Sequence, residues 1–198
     1  MMHSDSPAAR RPRTRRALAS ALGLLLALAA PPTPALDGVS FEAGRDGANN
    51  GTRVDLYRAG AQWNWDKRWF ESGNWHVGGY WDFQFGYWDN RSANRRDSSL
   101  WEIAFTPVLR LQQSTPSTIA PYAEIGIGAH LLSETTVSAK RDLGSAFQFG
   151  SHAGVGARFG PKNTFDISYR YQHISNADIK EPNNGIDFHV LRLGYWFK

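Results

Sequence analysis

The strongest constraint in this sequence is an alternation with a period of two that returns eight times. From Trp75 the odd positions read Trp75, Val77, Gly79, Trp81, Phe83, Phe85 and Tyr87. The even positions read Asn74, His76, Gly78, Tyr80, Asp82, Gln84 and Gly86. One face is apolar and rich in aromatics; the other is mostly small or polar. Side chains alternate between faces along a strand but recur every 3.6 residues on a helix, so this stretch is a long two-faced strand. The pattern repeats over 101–111, 123–131, 147–159, 165–171 and 191–197, with weaker runs at 39–44 and 53–63.

The two faces differ in a way that decides which side is inside. The aromatic face carries Trp, Phe and Tyr in bulk, while the other mixes Gly with Glu102, Arg110, Glu124, Arg158, Asp166, Arg170 and Arg192. A soluble barrel would turn the aromatic face inward, but eight strands enclose too little space for so many large rings. Small and mutually paired polar residues fit that space. The expected fold is therefore all-β, an eight-stranded antiparallel transmembrane β-barrel with its aromatic face on lipid. Phe197, closing the last alternating run before Lys198, resembles the assembly signal of bacterial outer-membrane proteins.

Turn lengths orient such a barrel, because its periplasmic turns are short and its outer loops long. The tight turn at 160–163 is assigned to the periplasmic side, which puts the polar segments 89–98, 134–143 and 177–185 outside. The segment 112–120 is longer than a periplasmic turn needs. Pro107 lies inside the fourth run and is expected to mark a bulge, since it cannot donate to a ladder.

The N-terminus reads differently. Arg10, Arg11, Arg13, Arg15 and Arg16 precede an apolar run over 17–30, too short to span a bilayer, and small residues follow at 33–35. Residues 1–35 are expected to be a secretory signal peptide and 36–198 the outer-membrane barrel. Removing those five arginines from 22 basic residues, and Asp5 from 18 acidic ones, leaves 17 of each. The basic character of the chain belongs to the signal, so it does not argue for nucleic acid. With no cysteine, disulfide frameworks and thiolate zinc sites are excluded.

His173 and Ser175 end the seventh run, on the face of Phe165, Ile167, Tyr169 and Tyr171; Asp187 shares the face of Leu191, Leu193, Tyr195 and Phe197. All three are expected to face lipid at the outer rim, on two strands joined by one loop. Alternate residues on one face lie about 6.6 Å apart, two rises of about 3.3 Å, within side-chain reach. These are the residue types of a nucleophile, a base and its orienter. Ser175 would attack an acyl carbonyl, His173 would move the proton, and Asp187 would hold the imidazole. His76, His130 and His152 fall on inward faces of separate strands, as interior hydrogen-bonding residues. Neither metal nor cofactor is expected.

The stretch His173-Ile174-Ser175-Asn176-Ala177, then Lys180-Glu181-Pro182-Asn183-Asn184-Gly185-Ile186-Asp187, resembles the signature of the lipid A 3-O-deacylase (PagL-type) family. The resemblance is strong from Tyr169 to Asp187 and extends to the strand pattern of the rest. It implies a serine esterase that hydrolyses the ester-linked acyl chain at position 3 of lipid A in the outer leaflet. It also implies a Ser-His-Glu triad, with Asp187 standing where the family has Glu and Asp178 where Gly is expected. Asn176 and Asn183 match family asparagines near the site and are oxyanion candidates. The partners implied are lipid A and outer-membrane lipids, with a homodimer left open. The rivals are a non-enzymatic barrel (anchor, adhesin or small-solute channel) and an outer-membrane phospholipase.

Overall fold

The structure, a computed structural model, describes residues 35–47 and 52–197. The expected signal peptide falls, but for Ala35, outside the described residues. Among those residues eight strands close on themselves: β1 (Gly38–Asp46), β2 (Val54–Asn64), β4 (Trp75–Asn90), β5 (Ser99–Gln113), β6 (Ile119–Leu132), β9 (Phe147–Phe159), β10 (Phe165–Ser175) and β11 (Ile186–Trp196). Each pairs antiparallel with the next, and β1 pairs with β11 to complete the ring. Closure leaves no edge, as hydrocarbon requires, because it offers no partner to a free N–H or C=O. Three short strands lie outside the ring: β3 (Trp69–Ser72) extends β4 at the inner end, and β7 (Thr136–Ser138) with β8 (Arg141–Asp142) forms a hairpin within the outer loop between β6 and β9.

The alternation maps onto the barrel wall as expected. Trp81, Phe83 and Phe85 on β4, and Trp101, Ile103 and Phe105 on β5, are exposed on the outside. Their partners on the other face, including Glu102, Arg110, Glu124, Asp166, Arg170 and Arg192, are buried. The lumen holds a dense ion network: Arg58 Nε donates to Glu102 at 2.8 Å, Arg110 Nη2 and Arg170 Nε to Glu124 at 2.8 Å each, and Arg192 Nη1 to Asp166 at 3.0 Å. Such pairs are strongly destabilising to break, since a lone charge would be left buried. Large rings also enter the lumen. Trp88 and Trp196 are both buried there and donate Nε1–H to Glu102 and Asp166. The outer end is closed by an apolar cluster in which Val137 and Leu143 of the loop meet Leu56, Ile174 and Phe188. A lumen filled in this way leaves a solute channel no room.

Two expectations are corrected. Pro107 makes no bulge: the β5–β6 register is the same on both sides of it, Phe105 opposite Ala129 and Val108 opposite Gly126. The ladder lapses at 106–107, and the missing proline donor costs no shift in register. The long inner segment after β5 shrinks because the strands run further than the alternation suggested. Only 114–118 lie between β5 and β6, pinned by Asn74, whose side chain exchanges two hydrogen bonds with the Thr115 backbone.

Candidate active site

β10 and β11 form a hairpin whose register sets His173 directly opposite Asp187. His173 Nδ1 lies 2.7 Å from Asp187 Oδ1, with the two side chains 47% and 29% exposed. The shorter carboxylate therefore reaches the imidazole. Donation from Nδ1–H to Asp187 leaves Nε2 as the acceptor, the tautomer a base needs. Ser175 ends β10 two residues on, half-buried and on the same face; no hydrogen bond joins it to His173 among the described residues. Apo sites often hold catalytic bonds long, so this spacing is compatible with a relay.

The loop that carries the rest is tied to the barrel mouth. Asn176 is fully buried. Its side-chain amide donates to Leu143 O at 2.9 Å and Lys180 O at 2.6 Å, and its backbone N–H to Asn183 Oδ1 at 3.0 Å. All three of its N–H groups are engaged, so Asn176 anchors the loop and does not offer the free oxyanion donor expected of it. Asn183 donates one amide hydrogen to Asp178 Oδ1 at 2.8 Å and keeps the second. Asp178 itself takes the left-handed conformation at φ 60°, next to Ala177 at 52°. Asp tolerates that region better than most residues, so the turn forms here without a glycine. Gly185, at φ 55°, lets the loop close on the ring: a Cβ there would stand 2.9 Å from His173 Cε1.

The alternation could not show several neighbours. Ser151 on β9 is the cross-strand partner of His173 on the lipid face. The Tyr171 hydroxyl approaches the Asp187 carboxylate. Arg141, from the β7–β8 hairpin, donates to the Gly185 carbonyl. Burial pushes its guanidinium down from the ordinary value, against the attraction of Asp46 and Asp187. Facing lipid does not by itself single out His173, because His189 does so too. Its ring meets the Tyr169 hydroxyl at 2.5 Å and, among the described residues, carries no carboxylate partner. His173 alone of the two has an acid on one side and serines on the other.

From His173 an apolar trough of about 640 Å3 crosses the outside of the barrel, lined by Tyr171, Ser151, Ala153, Ile127, Pro107 and, at its far end, Trp65. It follows one row of the sheet: His173 opposes Ser151, Ser151 opposes Ile127, and Pro107 continues the row to Trp81. The row descends. His173 lies two residues below the outer end of β10, Ser151 four below that of β9, Ile127 five below that of β6, Pro107 eight below that of β5 and Trp81 nine below that of β4.

The fold is that of an eight-stranded outer-membrane barrel, with a histidine–carboxylate pair on its lipid face. The family model described as "Lipid A 3-O-deacylase (PagL)" matches residues 55–196. Lipid A deacylase PagL of Pseudomonas aeruginosa is 35% identical over 135 residues, 68% of this chain and 74% of that protein. The Bordetella bronchiseptica protein of the same name is 41% identical over 105 residues, 53% of this chain and 55% of its own length. A crystal structure of the outer membrane enzyme PagL superposes with a TM-score of 0.70 at 31% identity, covering 80% of this chain and 98% of that one. The chain belongs to the lipid A 3-O-deacylase (PagL) family. It is an ester hydrolase of the bacterial outer membrane.

Proposed function

We propose that this protein removes the ester-linked acyl chain at position 3 of lipid A, in the outer leaflet, with Ser175 as nucleophile, His173 as base and Asp187 as its orienter. The observation that carries the reading is the 2.7 Å His173–Asp187 contact on the lipid face, two residues from Ser175, at the rim where outer-leaflet headgroups lie. Ser175 Oγ attacks the ester carbonyl as His173 Nε2 takes its proton. The free amide hydrogen of Asn183 is the candidate donor to the oxyanion. His173 then returns the proton to the departing sugar hydroxyl, and a water molecule repeats the sequence on the acyl-enzyme. An acyl chain descending the trough stays in an apolar surrounding throughout, so the lipid need not leave the membrane.

The test is the mass profile of lipid A from cells expressing the barrel. Loss of one hydroxyacyl group is expected with the natural chain and intact lipid A with Ser175→Ala. Intact lipid A with a correctly assembled natural barrel would refute the reading, and glycerophospholipid hydrolysis in its place would identify a phospholipase. Because Ser151 also adjoins His173, a Ser151→Ala barrel belongs in the comparison. Lost deacylation there, with Ser175→Ala still active, would move the nucleophile to β9.

A further inference from the structure

The trough has a lower end, and one side chain makes it. Trp65 follows the last residue of β2, on the inner connection toward β3. Its backbone N–H donates to Gly79 O at 2.8 Å, which folds this connection back over the outer face of β4. The indole occupies the space that Gly79 leaves: a Cβ at that position would stand 2.3 Å from the ring atoms Cε3 and Cζ3. The ring packs edge-on against Trp81 at 5.3 Å and Trp69 at 5.9 Å. A glycine slot, a backbone tether and two flanking rings thus fix one indole at the foot of the row that starts at His173. From His173 to Pro107 the row crosses three inter-strand gaps, roughly 14 Å at about 4.8 Å each.

We infer that Trp65 is the specificity-determining residue for acyl-chain length, the end wall against which the chain to be cleaved is measured. The inference rests on the proposed hydrolysis at Ser175. A chain held by its ester beside His173 fills the descending trough, and a longer one meets the indole and must turn out into bulk lipid. The part that turns out gains no packing against the barrel wall, while the part nearer the ester keeps its contacts with Ser151, Ala153 and Pro107. A tryptophan near the inner interface could also serve only as a membrane anchor. That role would act on assembly and on all substrates alike, and would leave the relative rates of long and short chains unmoved.

The test uses the full barrel in detergent micelles and synthetic 3-O-acyl glucosamine lipids that differ only in acyl length, in two-carbon steps. For the natural protein kcat/KM is expected to rise until the trough is filled and then to fall. In Trp65→Ala the maximum moves to longer chains, and the long-to-short ratio of kcat/KM rises by on the order of tenfold, about what a methylene misfit in an apolar pocket is worth. Trp65→Phe, which keeps a ring, moves it part of the way. If Trp65→Ala fails to assemble, as judged by heat-modifiable gel mobility, Trp65→Phe decides. An unchanged length profile in the assembled variants overturns the inference, as does a natural protein that cleaves every length equally; in both cases the hydrolysis itself stands. A natural protein that cleaves none of the panel, with lipid A also left intact, overturns the proposed hydrolysis and the inference with it.

Discussion

His130 and His173 each turn Nδ1 toward a carboxylate, Glu102 in the lumen and Asp187 at the rim. The pairs match in residue type but differ in what surrounds them. Both lumen side chains are fully buried, and Glu102 also accepts from Arg58 and Trp88. Among the described residues His130 Nε2 is buried without a partner, and it is pressed on Gly150, where a Cβ would stand 2.0 Å from it. No acyl carbonyl can approach that nitrogen. The rim pair is half open, and beyond its ring lie two serines and a trough. A histidine–carboxylate pair becomes a relay only when its second nitrogen faces a nucleophile and a place for substrate.

The largest separation is expected from removing each ring. His173→Gln should lower kcat by about 10^6-fold, the scale seen when the histidine of a catalytic relay is deleted. His130→Gln should leave kcat of the assembled barrel within a few-fold and appear in stability instead. Turnover on purified, heat-modifiable protein checks both, and comparable losses of kcat would dissolve the distinction.

Removing the carboxylates tests the same contrast with a smaller catalytic effect. Asp187→Asn should cost roughly 10^2- to 10^4-fold in kcat, because an amide supports the wrong tautomer and no longer stabilises the imidazolium. Glu102→Gln strips a buried charge from Arg58 and His130 together, at about 3–5 kcal/mol of stability. Urea titration in lipid vesicles reads the second effect. A Glu102→Gln barrel as stable as the natural one would show that the lumen network is not what holds this barrel together.

The barrel was legible in the sequence because membrane strands obey one rule. Period two gave the eight strands and their faces, turn lengths gave their direction, and the alternation put Glu102 and His130 inside and Asp187 and His173 outside. What it could not give depends on contacts distant in sequence. Trp65 belongs to no alternating run; its position follows from a backbone bond to Gly79 and from a missing Cβ. Arg141 reaches Gly185 across a hairpin with no periodic signal. That Asn176 anchors the loop could not be read either, because only the folded loop shows its three donors already taken. Ser151 was on a recognised strand, yet its meeting with His173 needed the β9–β10 register.

The finest test concerns length at the rim. Asp187 meets His173 at 2.7 Å with no methylene to spare, while the family pattern that this chain resembles has Glu there. Asp187→Glu keeps the charge and lengthens the arm, so the carboxylate must fold back beside Tyr171 to meet the same nitrogen. A drop in kcat of about threefold to tenfold is expected, since a misplaced orienter costs alignment while the charge that stabilises the imidazolium is retained. A loss as large as that of Asp187→Asn would mean that position, more than charge, carries the role. An unchanged kcat would mean that the rim is loose enough for either acid, in contrast to the lumen, where Glu102 is fixed by three partners.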